Sequence, residues 1–200
     1  MILTDIGEIG VHVNGVTYKL RPSLYAMSQL GTPTQIVETY ALVMADVDDN
    51  KVKWLQFQDA LFIVGVCCEQ DIDDVFGYFN KSGKFARKLV PEKDIIQLAR
   101  CLLKHGITGA QKPLPKKADE EPEYLTEFKA SESVAIAMAH IGLSEEDAWN
   151  VTMTSLVSAM RAKFPPQKDE SRGSRAPTKE QHESTMDWFD KIKARREKLH

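Results

Sequence analysis

A mainly helical α+β fold, in which a β-hairpin leads into a helical bundle, is what this chain predicts from three observations. Asn14-Gly15 stands between two runs of alternating apolar and polar residues, the chemistry of a two-residue type I′ hairpin turn. From Leu24 onward, apolar residues recur at the three-and-four spacing of a buried helix face. Between those stripes, Gly, Pro, Ser, Thr and Asp occupy the positions where helix ends need them.

The 200 residues are 42% hydrophobic and 28% charged, ordinary values for a chain with a conventional core. Net charge is -3, with 26 basic and 29 acidic residues well mixed, so no field of one sign recommends nucleic acid or an anionic membrane as a partner. The three cysteines, Cys67, Cys68 and Cys101, are odd in number and lie among apolar residues, which reads as reduced thiols in a cytosol-like compartment. The first residues, MILTDIGEIG, lack the basic and apolar regions of a signal peptide, and no window approaches the ~18 apolar residues of a membrane span. A cytoplasmic protein is expected.

A type I′ turn at Asn14-Gly15 pairs Val13 with Val16, Val11 with Tyr18 and Ile9 with Leu20, all on one face, and Pro22 ends the second strand. Leu24, Met27 and Leu30 then stripe a short helix that Gly31 closes. Thr32, Pro33 and Gln35 form a capping box for a second helix, whose expected buried face is Ile36, Val37, Tyr40, Ala41 and Met44. Val52 to Glu69 is long and apolar enough for a central helix buried on several sides. Asp71 to Phe79 reads as another short helix, with three aspartates at its positive end, and Lys81-Ser-Gly-Lys84 as a turn. After Pro91 the stripe Ile95, Leu98, Ala99 and Leu102 runs until His105-Gly106.

Lys112 to Glu123, KPLPKKADEEPE, holds three prolines and seven charges and reads as a linker. The expected organisation is therefore a hairpin plus helical domain over 1–110, a linker over 111–123, a small helical module over 124–166, a flexible segment over 167–178 and a C-terminal helix over 179–200. Within the small module, Val134, Met138 and Ile141 mark the buried side of a helix stopped by Gly142, with Leu143 completing a Schellman end. Ser144 caps a second helix, with Asp147 three residues on. Thr152 caps a third, in which Met153, Leu156, Met160 and Phe164 recur at helical spacing. Trp149 is the apolar wedge at their junction. Three stripes in so short a stretch make a thin core, so the first module or another protein should cover part of them.

The chain offers little catalytic chemistry. Asp46-x-Asp48-x-Asn50 begins like a calcium loop, but Lys51 stands where Gly is needed and Phe57 where the bidentate Glu is needed. The five histidines are scattered without metal-ligand spacing, and Cys67-Cys68 cannot form a CxxC pair. No Gly-rich phosphate loop, nucleophile elbow or HExxH occurs. The expectation is a protein that is not an enzyme and carries no cofactor or metal.

The opening VHVNGVTYKLRPSLYAMSQLG resembles the start of tail assembly chaperones of long-tailed bacteriophages and related gene-transfer particles, with their hairpin, aromatic-x-Leu-Arg-Pro-Ser turn and helix. GLSEEDAWNVTMTSLVSAMRAKFP resembles the same group's Ser-capped helix and Thr-Met-Thr-x-x-Leu segment. The central CCEQDI stretch is similar to an uncharacterised phage protein family related to them. Together these cover Ile9 to about Pro166. The resemblance implies a non-catalytic protein of the host cell cytoplasm that binds the tape measure protein and helps recruit the major tail tube protein around it. Such a protein is expected to work in several copies and to be absent from the finished particle. A structural virion protein, such as a tail completion or head-tail connector subunit, is the competing expectation. On the chaperone reading, Trp149, Met153, Leu156 and Met160 line a groove for the client, and Trp188, Phe189 and Ile192 form a second attachment.

Overall fold

The Asn14-Gly15 turn forms as its chemistry dictates, with φ positive at both residues. Strands β2 (Ile9–Val13) and β3 (Val16–Leu20) pair in the expected register, Ile9 with Leu20, Val11 with Tyr18 and Val13 with Val16. A short strand, β1 (Ile2–Leu3), adds to the outer edge of β2 and was not foreseen. Only the base of the hairpin, Ile9 and Leu20, is fully buried, and its tip stands in solvent. The computed structural model describes residues 2–110 and 126–165. The expected linker over 111–123, flexible segment over 167–178 and C-terminal helix over 179–200 lie outside the described residues.

The Leu-Arg-Pro-Ser turn that closes β3 is fastened at Leu20, Arg21 and Ser23. Leu20 is fully buried, and the Arg21 N–H donates to the Cys67 carbonyl (2.7 Å). The Arg21 guanidinium meets buried Glu8 at 2.5 Å, and Lys19 reaches the other Glu8 oxygen at 2.9 Å. Burial alone would raise the Glu8 carboxyl, but hydrogen bonds from Lys19 and Arg21, with their charge, hold it below the ordinary carboxylate value. Ser23 caps α1 (Leu24–Ser28) by accepting from the Ala26 N–H.

Helix α2 (Pro33–Met44) starts with the predicted capping box of Thr32 and Gln35, with Pro33 in the first turn. Its buried face differs from expectation. Ile36 and Val43 are buried, Tyr40 and Val37 are partly covered, and Ala41 is exposed, because two later helices, α3 (Asn50–Val66) and α5 (Glu92–Leu103), meet the 36–40–43 side of the helix. No glycine closes α2. Its last carbonyls are satisfied instead by side chains from α3 and α5. Gln56 Nε2 lies within 2.9–3.2 Å of the Leu42, Val43 and Ala45 carbonyls, and Arg100 donates to Val43 and Ala45.

Helix α3 is central as expected, capped by Asp49 and buried through Phe57, Ala60, Leu61, Ile63 and Val64. The acidic turn before it thus does ordinary capping work. The next segment departs from the expected helix to Phe79. Helix α4 (Asp73–Phe76) lasts one turn, because Gly77 adopts φ +91 and its missing side chain leaves room for the Ala86 carbonyl. Residues beyond it form a second hairpin, β4 (Tyr78–Phe79) with β5 (Phe85–Ala86). Its rings pack on Phe57, with Phe85 at 4.8 Å and Phe79 at 6.3 Å between centroids, and Trp54 completes the cluster.

Helix α5 does not end at His105-Gly106. It continues as a π-helical turn, Lys104–Thr108, and closes at Gly109 with φ +68. Gly106 serves close packing instead: an added side chain would meet the sulfur of fully buried Met27 at 2.6 Å.

The remaining helices are α6 (Ala130–Ile136), extended by a π-helical turn over Ala137–Ile141, then α7 (Glu145–Asn150) and α8 (Met153–Lys163). The predicted punctuation holds. Gly142 is left-handed, Ser144 accepts from the Asp147 N–H and Thr152 from the Ser155 N–H. The expected stripe of Val134, Met138 and Ile141 needs correction, since Met138 is 41% exposed and Ala137 is fully buried in its place. These helices share one core with residues 2–110, and Met1–Pro165 is one compact unit. The α+β, mainly α class is what the chain adopts. No described helix is long and apolar enough to cross a membrane.

Candidate partner-binding groove

Two segments far apart in the sequence, the Leu20-Arg-Pro-Ser23 turn and Thr152-Met-Thr154, meet in space. Ser23 and Thr152 form an antiparallel bridge, and the Leu24 N–H donates to the Val151 carbonyl (2.9 Å). The Thr152 hydroxyl donates to the Ile6 carbonyl. Buried Thr154 accepts from the Ala110 N–H (3.1 Å) and lies 2.9 Å from His105 Nδ1 and 3.3 Å from the His105 carbonyl. Thr152 and Thr154 therefore anchor the start of α8 to the first part of the chain, and Met153 between them is left on another side of the helix.

His105 is buried under Gly7, whose added side chain would strike the imidazole. Burial, with the neighbouring Lys104 charge, holds its pKa below the ordinary 6.5. The folded state therefore favours the neutral ring. That contribution is fully present above the ordinary value and is lost as pH falls through the lowered one. The thermal midpoint is expected to fall between about pH 7.5 and about pH 5.5, and His105→Asn should flatten that slope. Calorimetry across the two pH values is the check.

With α8 anchored in this way, its outer side and the end of α6 enclose an open groove of about 340 Å³. Leu156, only 5% exposed, is the floor. Met153, Val157 and Met160 form one wall, Ile136 the other, and Phe164 closes the end. Ile136 is 41% and Phe164 52% exposed, so the groove presents apolar surface to solvent. The Phe164 ring stands edge-on to His140 at 5.7 Å. Ser133 and Arg161 are the polar residues of its lining. An open trough of apolar side chains accepts a row of side chains from another chain better than it encloses a small molecule.

Of the residues expected to bind a partner, Met153, Leu156 and Met160 are thus brought together. Trp149 is not: it packs edge-on against Tyr25 of α1, at 6.4 Å between centroids, and wedges α7 onto that helix. Trp188, Phe189 and Ile192 lie outside the described residues. Ile136 and Val157 were missed. Every face of Ser133 to Ile141 carries Ala or a larger apolar residue, so spacing alone could not separate the groove side from the core side. Among the described residues, no group of three or more His, Cys, Asp or Glu is placed to hold a metal.

The family model that matches, over residues 20–184, describes a family of unknown function, DUF6246. The chain belongs to the DUF6246 family. No curated protein and no solved structure matches it. The match to DUF6246 begins at the end of β3, so it takes in the Leu-Arg-Pro-Ser turn, all the described helices and the groove, and leaves out most of the first hairpin.

Proposed function

We propose that this DUF6246 chain is a phage tail assembly chaperone, a non-catalytic protein of the host cytoplasm that holds the tape measure protein and helps recruit tail tube subunits around it. The open apolar groove over Leu156 carries the reading. A tape measure is a long helix with exposed apolar stripes, and an amphipathic helix laid into an apolar groove is a recurrent recognition mode. Methionine walls suit such a client because their unbranched, polarisable side chains adapt to successive, non-identical turns. Several copies along one client would then add avidity to a shallow individual contact. The resemblance of the Leu-Arg-Pro-Ser and Thr-Met-Thr segments supports the same class.

The groove also dictates how it should be tested. Charging Leu156 would injure the core, so the variant of choice is Ile136→Glu with Met160→Glu, on the walls. On co-expression, the wild-type chain is expected to keep the tape measure protein soluble and to co-purify with it, and the double variant to lose at least about tenfold of that recovery. Undiminished recovery would remove the groove from the reading. Mass spectrometry of purified particles separates the chaperone from a tail completion or connector subunit, which would be present in stoichiometric amounts.

A further inference from the structure

We propose that the outer face of α2 and α3 is a second docking surface, and that its occupant is a helix of another protein carrying a lysine or arginine between two apolar residues. Along α3, Leu55, Asp59 and Phe62 follow at spacings of four and three, which puts them on one side of the helix. Leu55 and Phe62 are each 52% exposed, unusual for large apolar residues on the central helix of a core. Asp59 between them lines a cleft of about 330 Å³ whose other walls come mainly from α2, through Gln35, Glu38, Thr39 and Leu42.

Asp59 is half-buried, burial raises its carboxyl above the ordinary value, and no cation or hydrogen-bond donor among the described residues meets it. A carboxylate that loses water without gaining a partner is unfavourable, and a cation delivered from outside would relieve it. Glu38 in the same cleft adds a second negative charge, and Leu42 gives the stem of a lysine or arginine an apolar surface to lie on. The apolar-acidic-apolar row spans about 10 Å of helix, so its complement is an apolar-basic-apolar row of the same spacing on a helix lying alongside. Charge argues against a second copy of this chain as the occupant. An antiparallel copy crossing at Asp59 would bring two acidic clefts together.

The test uses two labelled synthetic amphipathic helices that differ only at the seam position between two leucines, arginine in one and glutamate in the other. Fluorescence anisotropy is read against the full chain, with circular dichroism confirming that each variant folds. The arginine peptide is expected to bind at least about tenfold more tightly than the glutamate peptide, with Asp59→Lys reversing that order. Should Asp59→Lys not fold, Glu38→Lys on the exposed rim is expected to remove the preference. Because the groove over Leu156 would also take an amphipathic helix, the comparison is repeated in the Ile136→Glu, Met160→Glu background, where the preference for arginine over glutamate should persist. Equal binding of both peptides, binding of neither, or a preference that survives both charge reversals would overturn the proposal. Self-association of the chain that disappears in Phe62→Glu would also overturn it, by giving the face to a second copy.

Discussion

Phe57→Ala is expected to lower the unfolding free energy by about 3–5 kcal/mol, the range for removing a buried aromatic ring. The ring is 2% exposed and lies against Trp54, Phe79 and Phe85, so truncation opens a cavity and dissolves the centre of a four-ring cluster. The consequence should be uneven. Strands β4 and β5 have two residues each, too few to hold a hairpin without the rings that pin it to α3. Hydrogen exchange over residues 78–86 should therefore rise more than exchange in α5. Phe57→Leu, which keeps most of the volume, should lose only about half as much in urea denaturation. A loss below about 1 kcal/mol for alanine would mean that the hairpin is held by something other than these rings.

Thr154→Val is expected to lose about 2–4 kcal/mol although almost no volume changes. The hydroxyl is the partner of the half-buried Ala110 N–H and of the buried His105 ring nitrogen, and removing it leaves both without that partner. Thr154→Ser keeps the oxygen and should recover most of the loss. Because the groove stands on the start of α8, Thr154→Val should, on the proposed chaperone reading, also weaken recovery of the tape measure protein without touching the groove walls. Denaturant midpoints of the three proteins decide the matter. Equal stability of the valine and wild-type chains would show that α8 is held by apolar packing alone.

What was legible in the sequence has a common character. The first hairpin and its register, the Thr32 capping box, and the caps at Ser144 and Thr152 all depend on atoms within a few residues of one another. The strand edge at Ile2–Leu3 was not legible, since two residues carry no alternation and gain order only by pairing with β2. Gly106 looked like a helix end because glycine commonly is one. Nothing local announces that Met27, far away in sequence, packs where its side chain would be. The groove was half legible for a similar reason. Met153, Leu156 and Met160 form a visible stripe, but which of them is floor and which is wall depends on what α8 rests upon.

By itself, then, the sequence determined the α+β, mainly helical class, the order of most elements and the position of most helix ends, because capping and turn chemistry are short-range. Only the tertiary structure decided that the Leu-Arg-Pro-Ser turn and the Thr-Met-Thr segment are two sides of one joint, since hydrogen bonds between distant residues leave no period in the sequence. It also decided that the Trp149 wedge rests on Tyr25 while Ile136 faces a groove. Burial is a property of what comes to lie opposite a side chain, and that partner is chosen by packing rather than by neighbours in the chain.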